Sequence, residues 1–255
     1  MTPRHILITG GASGIGFGIA QHLGSLGHAI LIADISLERA QQAVSILAEQ
    51  NISAKAIQLD VGDAQQIEGL PESILPDKVD ILINNAGIQH VSRLEDFPSN
   101  KWQALINVML IGPALLSKAF LPNMRSNNFG RIINVGSLHS VVASPYKSAY
   151  VAAKHGLLGF AKTLALETGD CDVTVNTLCP AYVKTPLVEQ QIAAQAIENN
   201  ISEDDVVNKI MLEPMPKKSF IDIQELAACA EFLISDAARN MTAQALVIDG
   251  GWTAR

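Results

Sequence analysis

Thr9-Gly10-Gly11-Ala12-Ser13-Gly14-Ile15-Gly16 is the stretch from which the rest of the chain can be read. It follows directly on the apolar run His5–Thr9, which has the length of a buried strand, and it opens a helical pattern. Gly10, Gly14 and Gly16 let the turn tighten and let the backbone approach a pyrophosphate closely, with Ser13 and Ile15 in the same cradle. The start of the helix adds free N–H groups and the positive end of a helix dipole. A glycine-rich loop alone is a weak signal. Its place between a strand and a helix gives it weight.

Working outward, short apolar runs alternate with helical patterns. The expected strands are His5–Thr9, Ala29–Ala33, Ala54–Leu59, Ile81–Ile83, Arg131–Val135, Val173–Leu178 and Leu246–Ile248. This rhythm predicts an α/β fold: a Rossmann-type, doubly wound parallel sheet of about seven strands with helices on both faces. No repeat or flexible linker divides the chain, so residues 1–255 are read as one domain. One stretch breaks the rhythm. Residues 186–220 read as two short helices, the second capped by Ser202, followed by Glu213-Pro214-Met215-Pro216, which no helix can run through. An insertion there lies over the carboxyl edge of the strands, where ligands bind in such sheets, and is read as a substrate lid.

Composition narrows the function classes. Of the 255 residues, 48% are hydrophobic and 17% charged, which favours an enzyme with a large core over a disordered chain. The net charge of −7 and the lack of a basic run argue against a nucleic-acid partner. No signal peptide and no membrane span are expected. Cys171, Cys179 and Cys229 show neither disulfide nor metal-ligand spacing, so a cytoplasmic protein with reduced thiols and no metal site is expected.

Asp34 ends the second strand. A carboxylate there accepts hydrogen bonds from the adenosine ribose hydroxyls of NAD and repels the 2′-phosphate of NADP. Ile35 and Ser36 follow, with no arginine expected to hold that phosphate. Farther along, Tyr150 and Lys154 are one helical turn apart, with Ser144-Pro145 reading as a cap and first helical position. An ammonium near a phenol favours phenolate, so Tyr150 can take the proton of an alcohol while a hydride leaves for a cofactor.

Together these pieces identify the chain as resembling the short-chain dehydrogenase/reductase family over essentially its whole length. The matching residues are Thr9–Gly16, Asp34, Asp60-Val61, Asn84-Asn85-Ala86-Gly87, Ser137, Tyr150-Val151-Ala152-Ala153-Lys154, Cys179-Pro180 with Thr185, and Asp249-Gly250-Gly251. The resemblance implies that Ser137 orients the substrate oxygen, Tyr150 is the acid/base, and Lys154 holds the nicotinamide ribose and lowers the tyrosine pKa. It implies that Asp60 and Val61 flank adenine, that Asn85, Ala86 and Gly87 line the cofactor cleft, and that Pro180, Val183 and Thr185 border the nicotinamide. Pro180-Ala181 replaces the family's Pro-Gly, and Met109 stands where the family has a relay asparagine.

A finer resemblance, to family members that oxidise (R)-3-hydroxybutyrate, rests on Gly87-Ile88-Gln89-His90-Val91, Glu95-Asp96-Phe97-Pro98, Ser137-Leu138-His139, Lys147, residues 185–192 and Asp249-Gly250-Gly251-Trp252. It implies that Gln89, His139, Lys147 and Gln191 hold a substrate carboxylate and that Trp252 closes an apolar pocket around the methyl group. The expected reaction is reversible, NAD-dependent oxidation of a short 3-hydroxy acid, with a homotetramer as the assembly. Two alternatives stay open: a reductase of 3-oxoacyl thioesters or other carbonyls, and a cofactor-binding pseudoenzyme.

Overall fold

The computed structural model describes residues 2–74 and 78–254. Its strands are β1 (His5–Thr9), β2 (Ala29–Asp34), β3 (Ala54–Gln58), β4 (Ile81–Asn84), β5 (Gly130–Val135), β6 (Val173–Pro180) and β7 (Ala245–Ile248). They form one parallel sheet in the order β3-β2-β1-β4-β5-β6-β7. The helices are α1 (Gly14–Ser25), α2 (Leu37–Glu49), α3 (Ala64–Ser73), α4 (Ser99–Ile106), α5 (Gly112–Ser126), α6 (Ser148–Glu167), α7 (Pro186–Asn199), α8 (Glu203–Asp205) and α9 (Ile223–Ile234).

Alternation within the strands divides the core between the two faces. Ile6, Ile8, Ile30 and Ile81 pack with Ile19 and Leu23 of α1, Leu47 of α2 and Leu233 of α9. Leu7, Leu31, Leu82 and Ile132 pack on the other side with Leu70 of α3, Phe120 of α5 and Leu164 of α6. Each fully buried side chain of this size contributes about 1.5–3 kcal/mol. The strand order reverses between β1 and β4, which opens a crevice at their carboxyl ends.

α4 and α5 run on as one continuous helix through a π-helical turn at Asn107–Ile111, closed by the Gly112 N–H on the Asn107 carbonyl. A Cβ on Gly112 would collide with the Val61 carbonyl oxygen, so glycine lets this helix reach the crevice. Residues Ser99–Ser126 are long and apolar enough, by length and composition, to cross a membrane. Here Leu105, Met109, Leu116, Phe120 and Met124 are instead buried against the sheet and neighbouring helices.

α6 begins at Ser148 with Lys147 as its cap, three residues later than the Ser144 cap and Pro145 start expected from sequence. Tyr146 takes a left-handed φ of 65°, which a helix cannot contain, and its carbonyl accepts the Ser92 N–H at 2.9 Å. Lys147 is therefore the N-cap residue, and Tyr150 still lies in the first turn.

The segment expected to form a lid contains α7, capped by the Thr185 hydroxyl, and a second helix whose Ser202 hydroxyl accepts the Asp205 N–H. α8 continues as a π-helical turn over Val206–Met211. Both feet of the segment meet in a bridge between Val183 and Ile221.

Candidate active site

A cleft of about 490 Å³ runs along the carboxyl ends of the strands, from Asp34 and Arg39 at one end to His139, Lys147 and Gln191 at the other. Gly10, Ser13, Gly14 and Ile15 form its floor near the middle. Gly10 sits at φ 59°, and a Cβ there would approach the Ala86 Cα to 3.0 Å. Gly16 is not on the wall. A Cβ there would meet Asn85 Nδ2 at 2.5 Å, so its part is to let α1 pack under the loop. The first turn of α1 holds no acid, and the Ser13 side chain caps nothing.

Thr9 and Asn85 tie this loop to β4. The Thr9 hydroxyl accepts the backbone N–H of Asn85 at 3.0 Å and of Ala86 at 3.1 Å. The Asn85 amide donates to the carbonyls of Thr9 at 2.9 Å and Gly10 at 3.0 Å. Thr9 carries this role without having stood out in the sequence. Asp60, Val61, Asn85, Ala86, Gly87, Pro180, Val183 and Thr185 all line the same cleft. The glycine cradle, the acid-free helix start and the carboxylate beyond them fit a nicotinamide dinucleotide.

Asp34 is buried, and its Oδ1 accepts the Ser36 N–H at 3.1 Å. The same oxygen accepts Arg39 Nη2 at 2.7 Å. The sequence reading expected no arginine here; the structure corrects it. Arg39 is the third residue of α2, and the helical turn carries its side chain back over the end of β2.

At the other end, Ser137, Tyr150 and Lys154 come together. Ser137 follows β5 by two residues and caps a short 3₁₀ turn, its hydroxyl accepting the His139 N–H at 3.1 Å. The Ser137 side chain also hydrogen-bonds Tyr150. Burial pushes the Tyr150 phenol above its ordinary value, and the bond from Ser137 works against that rise. Lys154 Nζ lies 5.7 Å from the centre of the Tyr150 ring and donates to the Val135 carbonyl at 2.6 Å. Burial lowers its pKa to about 8. The expected lowering of the phenol by Lys154 is absent: the ammonium is held by a strand carbonyl, and burial decides the direction.

Beyond Tyr150, Lys147 Nζ lies 3.5 Å from His139 Nε2. A charged Lys147 only donates, so Nε2 is the acceptor in this contact. Burial, and then the Lys147 charge, lowers the His139 pKa to about 4, so the ring is neutral. Burial also lowers the Lys147 pKa. Gln89 Oε1 accepts the His90 N–H at 2.9 Å, which leaves its amide N–H₂ for the cleft. Gln191 and its neighbour Gln190 reach the same cleft from α7.

Trp252 is placed differently from expectation. It lies outside the lining of the cleft and packs behind Tyr182, ring centres 6.1 Å apart. Tyr182 is the aromatic side chain on that wall, and Lys147 Nζ lies 5.9 Å from its ring centre. No periodicity marks Tyr182, because it lies in the irregular link between β6 and α7.

The comparisons agree with this architecture. The model of the short chain dehydrogenase family matches residues 4–196. A D-beta-hydroxybutyrate dehydrogenase of Cupriavidus necator is 42% identical over 251 residues, covering 98% of this chain and 97% of that protein. An uncharacterised oxidoreductase of Bacillus subtilis is 41% identical over 257 residues, covering 100% of both. Among solved structures, an actinorhodin polyketide ketoreductase with NADPH superposes with a TM-score of 0.94 at 28% identity, covering 99% of this chain and 98% of that one. The chain belongs to the short-chain dehydrogenase family. It is an oxidoreductase of that family, whose members use a nicotinamide cofactor.

Proposed function

We propose that this protein catalyses the reversible, NAD-dependent oxidation of (R)-3-hydroxybutyrate, or a similar short 3-hydroxy acid, to the 3-oxo acid. The observation that carries the reading is the Lys147–His139 pair, 3.5 Å apart in the same cleft as Ser137 and Tyr150. One half-buried cation beside a neutral imidazole, with Gln89 and Gln191 facing the same space, suits a single carboxylate with several lone-pair sites.

Ser137 and Tyr150 hold the carbinol oxygen between them, and Tyr150 takes its proton in oxidation and returns it in reduction. Lys154 holds the nicotinamide ribose and keeps a positive charge below the phenol. A bound nicotinamide ring supplies the hydride acceptor. Lys147, His139, Gln89 and Gln191 fix the carboxylate, so the carbinol carbon is presented in one orientation. Tyr182, with Trp252 behind it, limits the length of the alkyl end. Asp34 favours NAD through the ribose hydroxyls. The reading carries a homotetramer with it.

The second reading, a reductase of 3-oxoacyl thioesters or related ketones, draws on the likeness to the polyketide ketoreductase. Such substrates present no free carboxylate to Lys147. A pseudoenzyme is disfavoured by the meeting of Ser137, Tyr150 and Lys154. Mixing purified protein with NAD⁺ and (R)-3-hydroxybutyrate and following NADH absorbance tests the proposal. Turnover of the acid supports it. No turnover of any short 3-hydroxy acid, with reduction of 3-oxoacyl thioesters instead, would replace it with the second reading.

A further inference from the structure

The adenosine end of the cleft holds a charge that the NAD reading does not use. Arg39 is roughly half exposed and lines the cleft, whereas its partner Asp34 is buried. One guanidinium N–H₂ group is spent on Asp34 Oδ1 at 2.7 Å. Oδ1 is thereby doubly occupied, by Ser36 N–H and by Arg39. The carboxylate that should reject a 2′-phosphate is thus neutralised by a cation on a side chain with room to turn. The nearest acid on that helical turn, Glu38, is exposed and engaged with Gln42 at 3.3 Å. Asp60 lies across the cleft with its Oδ1 on the Gly62 N–H at 2.8 Å.

We propose that Arg39 is a specificity-determining residue that gives the adenosine-ribose pocket affinity for a 2′-phosphate, making NADP(H) a secondary cofactor beside NAD(H). With NAD, Arg39 stays on Asp34, and Oδ2 accepts the ribose hydroxyls. With a 2′-phosphate, the guanidinium turns from Asp34 to the phosphate oxygens, which accept its parallel N–H groups. The residual charge of Asp34 opposes the phosphate, so NADP remains the weaker cofactor. This inference rests on the reading of the cleft as a dinucleotide site.

Calorimetric titration of adenosine 2′,5′-bisphosphate and of 5′-AMP into wild type, Arg39→Ala and Arg39→Lys separates the possibilities without turnover. The wild type should bind both nucleotides. Arg39→Ala should weaken the bisphosphate at least about tenfold and AMP less than about threefold, as expected for loss of a charge-assisted contact. Arg39→Lys should retain part of the bisphosphate affinity, since it keeps the charge but loses the fork. An unchanged melting temperature shows that the variants are folded, and the lysine variant serves alone if the alanine variant is not. Wild type that binds AMP but not the bisphosphate overturns the proposal. So does an equal loss of both nucleotides, which would mark Arg39 as a mere support for Asp34. Binding of neither nucleotide by wild type would instead remove the dinucleotide reading, and this inference with it.

Discussion

Lys147 Nζ stands 3.5 Å from His139 Nε2, and both side chains are drawn out of water into one cleft. Two basic groups this close repel when both are charged. Burial resolves the conflict by keeping the imidazole neutral, which leaves Lys147 as the single positive charge facing the substrate space. Replacing Lys147 with alanine should raise KM for a 3-hydroxy acid and lower kcat/KM by roughly tenfold to several hundredfold, matching the loss of a charge-assisted hydrogen bond of about 1.5–3 kcal/mol. Gln191→Ala should act in the same direction. Steady-state kinetics check both; unchanged KM in Lys147→Ala would remove the lysine from the substrate site.

The same pair sets two pH dependences. Lys147 must be charged to hold a carboxylate, and burial lowers its pKa. KM for the acid should therefore climb on the alkaline side, earlier than for an ordinary lysine. Release of the phenol proton runs the other way, so kcat for oxidation should still be rising there, because burial has raised the Tyr150 pKa. Stability follows His139. Its folded pKa is depressed to about 4 from 6.5, so its contribution is complete above 6.5 and is lost as pH falls toward about 4. The loss amounts to about 3 kcal/mol. Melting temperatures across that range should fall more for wild type than for His139→Gln. Parallel curves would contradict the assignment.

Met109 tests how the proton leaves the site. It is buried on the cleft wall inside the π-helical turn Asn107–Ile111, its Sδ 3.7 Å from where a Cβ on Gly87 would sit. The helix is thus already opened at this point with methionine in place. Met109→Asn should leave kcat unchanged or higher, while the buried amide lowers the melting temperature by a few degrees. A large fall in kcat would show that the thioether packing itself keeps the site in order.

The helical segment after β6 gives a further prediction. Both of its feet meet at the Val183–Ile221 bridge, and Gln190 and Gln191 reach the cleft from α7. If Gln191 engages substrate on closure, proteolytic nicking between residues 186 and 220 should slow when NAD⁺ and a substrate analogue are both present. Equal nicking with and without saturating ligands would remove the lid.

Much of this was legible in the chain, for identifiable reasons. Buried parallel strands are short apolar runs, so all seven strands appear within two residues of the bounds read from sequence. The glycine loop and the Tyr150–Lys154 spacing are local patterns and survive folding unchanged. What stayed hidden depends on helix phase or irregular backbone. Arg39 is five residues past Asp34 along the chain, and only the first turn of α2 returns it to the carboxylate. Tyr182 lies between elements, and Trp252 folds behind it in a 3₁₀ turn near the end of the chain. The start of α6 was misplaced because the left-handed Tyr146 breaks a stretch whose Ser-Pro looks like a helix start.

A cleft built for a free carboxylate must distinguish an acid from its ester. With NAD⁺ as cofactor, kcat/KM is measured for (R)-3-hydroxybutyrate and for its methyl ester, which keeps the reacting carbinol and removes the negative charge. The acid should be favoured by at least about tenfold, the worth of one charge-assisted contact, and Lys147→Ala should shrink that ratio toward one. An ester that reacts as well as the acid, or better, would mean that the cleft does not recognise the carboxylate.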